Sequence, residues 1–286
     1  MVMASFADRF AMARARFGPL VFGADPHGPL LAKWGLPDDA DGLERFADIV
    51  MAAAAGTAGL IKPQSAFYER HGWRGIRALA RLAETARDEG ILVILDVKRG
   101  DVGSTNDAYA QAYLGEGAAI AADAITVHPY LGLAAMGTYI DRAHQAGACL
   151  LVVARSSNPE GRMVQAARTA GGLPVEQRLL AGIGEINARL APGSIGPVGA
   201  VVGSAPDLAA PDLPALDLTA ANALFLVPGI GAQGATPAHV AATFAACPER
   251  VMPSASRSLL AAGPDIAALR DAAASLNAGF REVLGV

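Results

Sequence analysis

Ile91-Leu92-Val93-Ile94-Leu95-Asp96-Val97-Lys98-Arg99-Gly100-Asp101 carries the strongest structural signal in this chain. An apolar run of this length, broken only at its end by charges, reads as a strand buried on both faces, Ile91–Val97, whose polar end emerges at a surface. Residues i and i+2 of a strand share a face, so Asp96 and Lys98 are expected to point the same way. Gly100 marks a turn directly afterwards, and that turn can return Asp101, a second carboxylate, towards Lys98. A lysine flanked by carboxylates stays charged. The ordinary alternative for such a cluster is a solvated loop following a strand.

The same format recurs outward in both directions. Apolar runs lie at Leu20–Asp25, Ala58–Lys62, Ala124–His128, Ala148–Ala154, Val198–Gly203, Ala223–Val227 and Arg250–Ser254. Helical patterns fall between or after them, at Leu43–Ala55, Gly75–Glu89, Asn106–Gly115, Leu133–Gln145, Val175–Leu190, Ala238–Ala245 and Asp265–Val283. The Pro-rich segment Pro206–Asp217 has room only for a short helix. Strands alternating with helices in this number favour a closed (β/α)8 TIM barrel over a doubly wound open sheet. The expected organisation is one α/β domain over residues 1–286, with an N-terminal amphipathic helix at about 3–17 and no signal-peptide core. Ser157–Gly172 is the longest loop candidate, and its length suggests a lid over the strand-five exit.

Composition narrows the function classes. Of 286 residues, 52% are hydrophobic and 17% charged, enough apolar material for a large core and against disorder. A formal net charge of −4 gives no nucleic-acid footprint, and no apolar run reaches membrane-spanning length. Cys149 and Cys247 sit in or near apolar segments and read as reduced, buried thiols. These features point to a cytoplasmic enzyme or binding protein. Lys and Arg number 23, yet only Lys33, Lys62 and Lys98 are lysine. Arg effectively never gives up its proton, so a lysine retained in an Arg-rich chain suits proton donation.

Barrels of this type collect their chemistry at the C-terminal ends of the strands. Those ends here supply Asp25, Lys62, the Asp96–Lys98 pair, His128, Ser156-Ser157-Asn158, the loop Pro228–Gly234 and Ser256-Arg257-Ser258. Taken singly, each has an ordinary reading: a helix cap, a solvated lysine, a structural histidine, a plain glycine turn. Together they outline a polar ring around one barrel mouth. The Pro228-Gly229-Ile230-Gly231-Ala232-Gln233-Gly234 loop, with Thr236-Pro237 ahead of a helix, suits an anion, and Arg257 one strand later can grip a phosphate bidentately.

With those residues in view, Asp96-x-Lys98-x-x-Asp101-Val102-x-x-Thr105 resembles the signature of the orotidine 5′-phosphate decarboxylases. DVKRGDVGSTNDAYA, His128-Pro129-Tyr130-Leu131-Gly132, Ser157-Asn158-Pro159-Glu160-Gly161 and PGIGAQG are similar to a bacterial subgroup with larger chains. The resemblance runs from Asp25 to Arg257. It implies that Asp25 and Lys62 bind ribose hydroxyls, that Asp96 sits beside the substrate carboxylate, and that Lys98 protonates C6. It implies further that Asp101 and Thr105 act in the neighbouring subunit's site of a homodimer. Ser157, or the adjacent Ser156, would contact the pyrimidine, and Gln233, Gly234 and Arg257 would hold the phosphate. The substrate would be orotidine 5′-monophosphate, with no cofactor and no metal. Val102 stands where the family often has Ile, and His128 receives no role.

Two rivals remain at this level. A related barrel decarboxylase or synthase acting on sugar phosphates shares Asp-x-Lys-x-x-Asp but uses Mg2+, and its following residues differ from Arg99-Gly100 and Gly103–Thr105. A non-catalytic phosphate-metabolite sensor has no use for the Lys62, Asp96, Lys98 and Asp101 charges.

Overall fold

The computed structural model describes residues 4–204 and 216–285. Eight strands form a closed barrel in sequence order: β1 (Val21–Ala24), β2 (Leu60–Pro63), β3 (Leu92–Arg99), β4 (Ala124–Val127), β5 (Cys149–Arg155), β6 (Val198–Val202), β7 (Phe225–Val227) and β8 (Val251–Ala255). Neighbours pair in parallel, and β1 closes on β8 through Val21↔Ser254 and Phe22↔Ala255. The helices among the described residues are α1 (Phe6–Phe17), α2 (Gly28–Lys33), α3 (Ala40–Ala54), α4 (Ala66–Glu69), α5 (Gly72–Asp88), α6 (Gly103–Tyr113), α7 (Gly137–Gln145), α8 (Arg162–Gln165), α9 (Val175–Leu190), α10 (Pro237–Thr243), α11 (Arg257–Leu260) and α12 (Ile266–Leu284). The closed barrel anticipated from the strand–helix alternation is the architecture found. No helix among the described residues is long and apolar enough to cross a membrane.

Several boundaries differ from the sequence reading for local reasons. The first helix starts at Phe6 because Ser5 and Asp8 form a reciprocal capping box there. The pattern at Leu133–Gln145 splits into a 3-10 turn, Leu133–Met136, and α7. Short helices α2, α4, α8 and α11 carry too few turns to leave a periodic signal in sequence. Most of Pro206–Asp217 lies outside the described residues.

Alternation along each strand sorts the core into two clusters. Phe22, Ile61, Val93, Leu95, Ile125, Leu150 and Phe225 face outward, under the helices. Val21, Leu60, Leu92, Ile94, Cys149, Leu151, Leu226 and Met252 face inward and fill the lower barrel together with Phe6 and Phe10 of α1. The N-terminal helix is therefore a plug for the barrel floor. Arg9 secures it by an ion pair to Asp123 and a 2.9 Å bond to the Gly147 carbonyl. Asp123 in turn accepts from the Val93 amide at 2.8 Å, which ties the plug to strand β3.

Phe10 is only 1% exposed. Phe10→Ala should therefore cost about 3–5 kcal/mol of unfolding free energy, as expected for an aromatic truncation inside a packed core. Denaturant unfolding monitored by circular dichroism measures this, and a loss below about 1 kcal/mol would make α1 an appendage rather than a plug.

Candidate active site

Above the apolar filling, the inward-facing positions turn polar. Lys62, Asp96, Thr126, Arg155 and Ser254 are all buried. Asp96 stands at the centre. Its Oδ2 accepts from Lys62 Nζ at 3.0 Å, and its Oδ1 accepts from Lys98 Nζ at 2.5 Å and from Thr126 Oγ1 at 2.7 Å. Burial alone would push this carboxyl up. The Lys62 and Lys98 charges, with the bonds from Lys98 and Thr126, instead hold it well below the usual carboxylate range. Burial likewise opposes charge on Lys62, but Asp96 and then Asp25 more than offset it and keep the ammonium above its ordinary value.

Strand β3 is irregular where it carries this chemistry. Leu95 pairs with Ile125 and Arg99 with Val127, so the strand holds extra residues between two positions that are close together on β4. Lys98 sits in that bulge with φ +44°, a left-handed conformation disfavoured for a side chain with Cβ. Thr126 spans the bulge: it donates to Asp96 and accepts from the Lys98 amide at 3.0 Å. Gly100 then passes so close to β4 that a Cβ there would lie 2.4 Å from the His128 carbonyl oxygen. His128 itself is held below its usual pKa, first by partial burial and then by the Lys98 charge, against the pull of Asp96.

A cavity of about 260 Å³ opens over this cluster. Asp25, Lys62, Gln64 and Lys98 line one side, and Gly229, Ile230, Gln233, Ser254, Ser256 and Arg257 line the other. Asp25 Oδ1 and Ser256 Oγ are buried without hydrogen-bond partners. Orphaned polar atoms facing a cavity await ligand groups that can pair with them. On the far side, Gly229 at φ +89° lets the chain turn beneath the Gln233 side chain, where a Cβ would meet Oε1 at 2.6 Å. The amides of Gly231, Ala232, Gln233 and Gly234 all donate within their own loop. The loop therefore shapes the site, and the side-chain donors left lining this wall of the cavity are the Gln233 carboxamide and the Arg257 guanidinium.

The strand-five exit is more structured than a plain loop. A 3-10 turn at Pro159–Gly161 leads into α8, and an Arg168↔Pro174 bridge follows. Both ends are pinned by Arg155 and Glu176, buried together and joined by two bonds of 2.6 Å. Ser156 exchanges hydrogen bonds with Gln165, its amide donating at 3.1 Å and its hydroxyl accepting at 2.9 Å.

The barrel mouth brings together Asp25, Lys62, Asp96, Lys98, Gln233 and Arg257 as the sequence reading placed them. One expectation is corrected. The lysine held between two carboxylates of the same chain is Lys62, not Lys98. Asp101 makes no ion pair with Lys98; its carboxylate accepts from the Val102 amide at 2.8 Å, and its own amide donates to Asn106 Oδ1 at 2.9 Å. Thr105 is exposed, Ser157 is half-buried at the lid's start, and Gly234 lies in the loop beyond Gln233. Sequence reasoning missed Thr126, Gln64, Ser254 and Arg155. A period of two was the available signal, since Gln64 follows Lys62 and Ser256 follows Ser254 at i+2. A larger groove of about 620 Å³ lies between α7 and α9, where Arg178 and Glu185 form an exposed ion pair at 2.8 Å.

Comparison with known proteins points to one family. The model of the orotidine 5′-phosphate decarboxylase / HUMPS family matches residues 19–272. A Salinispora arenicola protein named orotidine 5′-phosphate decarboxylase is 48% identical over 282 residues, which is 99% of each chain. The crystal structure of a Streptomyces avermitilis protein assigned to the same activity superposes with a TM-score of 0.93 at 43% identity, over 100% of this chain and 98% of that one. Leishmania donovani OMP decarboxylase superposes with a TM-score of 0.76 at 25% identity, over 99% of both chains.

Asp96→Asn leaves two lysines around an uncharged group and should destabilise the fold by roughly 3–5 kcal/mol, the usual cost of stranding a buried charge. Because the folded carboxyl titrates below its unfolded value, the gap between parent and variant should be full above about pH 4–5 and shrink as pH falls further. Urea unfolding across pH measures both; equal stability at neutral pH would contradict the assignment.

Proposed function

This chain belongs to the orotidine 5′-phosphate decarboxylase / HUMPS family, and we propose that it converts orotidine 5′-monophosphate to UMP and CO2 without metal or cofactor, as one catalytic barrel domain in de novo pyrimidine synthesis. The observation that carries the reading is a cavity lined by Lys62, Lys98, Gln233 and Arg257, its two lysines joined by the buried Asp96.

In this reading the substrate phosphate lies against Arg257, Gln233 and Gly234, and the ribose hydroxyls satisfy Asp25 and Lys62. Ser157 meets the pyrimidine. The C6 carboxylate lies beside Asp96. The bond from C6 to the carboxylate breaks, CO2 leaves, and the electron pair remains on C6. The Lys98 ammonium stabilises that developing charge and transfers a proton from Nζ to C6, then regains one from solvent. Phosphate binding, remote from C6, contributes to closing the loops after β5 and β7. Both oxygens of Asp96 are already engaged by lysines and Thr126. A carboxylate whose charge is already matched by two ammonium groups is a poor ligand for a divalent cation, which supports the metal-free reaction over the Mg2+-dependent sugar-phosphate rival.

The active unit is a homodimer with shared sites. Asp101 makes no ion pair with its own Lys98, Val102 is 53% exposed, and Tyr130 on the neighbouring loop is 84% exposed. An isologous contact across these loops would present Asp101 and Thr105 to the partner's cavity.

Loss of the orotidine 5′-monophosphate absorbance should proceed unchanged in EDTA. Lys98→Ala should lower kcat by at least about 10²–10⁴-fold while UMP still binds. Activity abolished by EDTA and restored by Mg2+ would favour the rival, and a Lys98→Ala enzyme with more than about a tenth of parental turnover would remove Lys98 from the proton transfer.

Lys98→Ala and Asp101→Ala chains should each be nearly inactive alone, yet subunit exchange should restore about a quarter of parental activity, since a mixed dimer carries one intact site. Heterodimers seen by mass spectrometry without recovered activity would place Asp101 in its own chain's site.

A further inference from the structure

We infer that Arg99, braced by Glu69, is a positioning residue that holds Lys98 in its left-handed backbone and so aims the ammonium; this rests on the decarboxylase reading above. Lys98 at φ +44° relaxes unless its flanks are gripped. On the inner face Thr126 grips it, through the Lys98 amide and Asp96. The outer face carries a separate device. The Ser65 amide donates to the Asp96 carbonyl at 3.2 Å, and the Ser65 hydroxyl donates to Glu69 Oε1 at 2.5 Å. The same Glu69 oxygen accepts from Arg99 Nη2 at 2.5 Å, while Arg99 Nη1 returns to the Val97 carbonyl at 3.1 Å. The circuit thus starts at Asp96 and ends at Val97 and Arg99, enclosing the bulge from behind. Its far end is anchored in α4, the segment that follows Lys62 on β2. Both lysine-bearing strands are therefore locked together outside the barrel as well as through Asp96 inside it.

The chemistry of the circuit requires arginine at this position. Its planar fork reaches a carboxylate and a carbonyl at once and still stacks over Tyr109, 5.6 Å from the ring centre. A lysine supplies one point charge and no stacking plane. The pair is also 28% and 35% exposed, so as a purely structural ion pair it would contribute little to stability. A brace and a surface ion pair therefore differ in what their removal changes.

The test compares Arg99→Met, Arg99→Lys and Glu69→Ala with the parent enzyme. Arg99→Met and Glu69→Ala should each lower kcat on the order of 10²-fold, as misplacement of a reacting group does, with UMP affinity and Tm little changed. Arg99→Lys should recover part of the loss, and the double variant should be no worse than either single one. On a Lys98→Ala background the same substitutions should have no further effect on residual turnover, since nothing is left to aim. Turnover within about twofold of the parent, or an equal loss on the Lys98→Ala background, would overturn the inference. So would a crystal structure of Arg99→Met in which Lys98 keeps its positive φ and its contact to Asp96. Parental turnover of orotidine 5′-monophosphate, measured alongside, separates failure of the brace from failure of the decarboxylase reading.

Discussion

The Asp96 carboxylate, buried between two ammonium groups, is the contact on which the mouth of this barrel depends. An anion removed from water costs several kcal/mol unless opposite charges and donors surround it. Here the donors arrive from three neighbouring strands, Lys62 on β2, Lys98 on β3 and Thr126 on β4. A slip of one residue in either pairing would turn a whole strand's side chains to the other face and leave the carboxylate unpaired. The ion cluster thus fixes register at the strands that carry the chemistry. The converse also holds: two lysines sit this close because Asp96 lies between them.

That arrangement is tolerable because the barrel is built in two storeys. The lower one is apolar and closed from beneath by Phe6 and Phe10, so hydrophobic burial there stabilises the fold independently of the mouth. The upper storey carries what burial alone would not favour: Lys62 and Asp96 out of water, a left-handed Lys98, and an orphaned Asp25 oxygen. Strain and incomplete hydrogen bonding concentrated at one end of a well-packed scaffold are the features of a pre-organised site.

The elements around the mouth divide the remaining work. Glycines after β7 form a loop whose amides are engaged in its own turns, so the loop sets the cavity wall while Gln233 and Arg257 line the cavity. After β5, the Arg155–Glu176 pair ties the start of the loop to the first turn of α9, so both ends of the segment between them are anchored. In the proposed reaction the loop after β7 and Arg257 hold the phosphate, remote from the reacting carbon, Ser157 after β5 meets the pyrimidine, and Lys98 with Asp96 addresses C6.

The sequence by itself determined the barrel and most of its polar ring. Apolar runs ending in charge set the strands, and the rule that i and i+2 share a face put Asp96 and Lys98 together even though the strand is bulged there. What it could not determine was which charges meet. Lys62 lies 34 residues before Asp96, and their 3.0 Å contact exists only because β2 and β3 pair in one register. Thr126 and Arg155 carry no local signal that distinguishes them from ordinary strand residues. Asp101 looked like a second partner for Lys98, because spacing alone does not reveal which way a turn returns. Its backbone amide instead donates to Asn106, a residue buried in α6, and its carboxylate accepts from the Val102 amide. Periodicity is a local property and is written in the chain. The pairing of charges, the left-handed Lys98 and the brace behind it depend on contacts between distant segments, which only the closed barrel brings within reach.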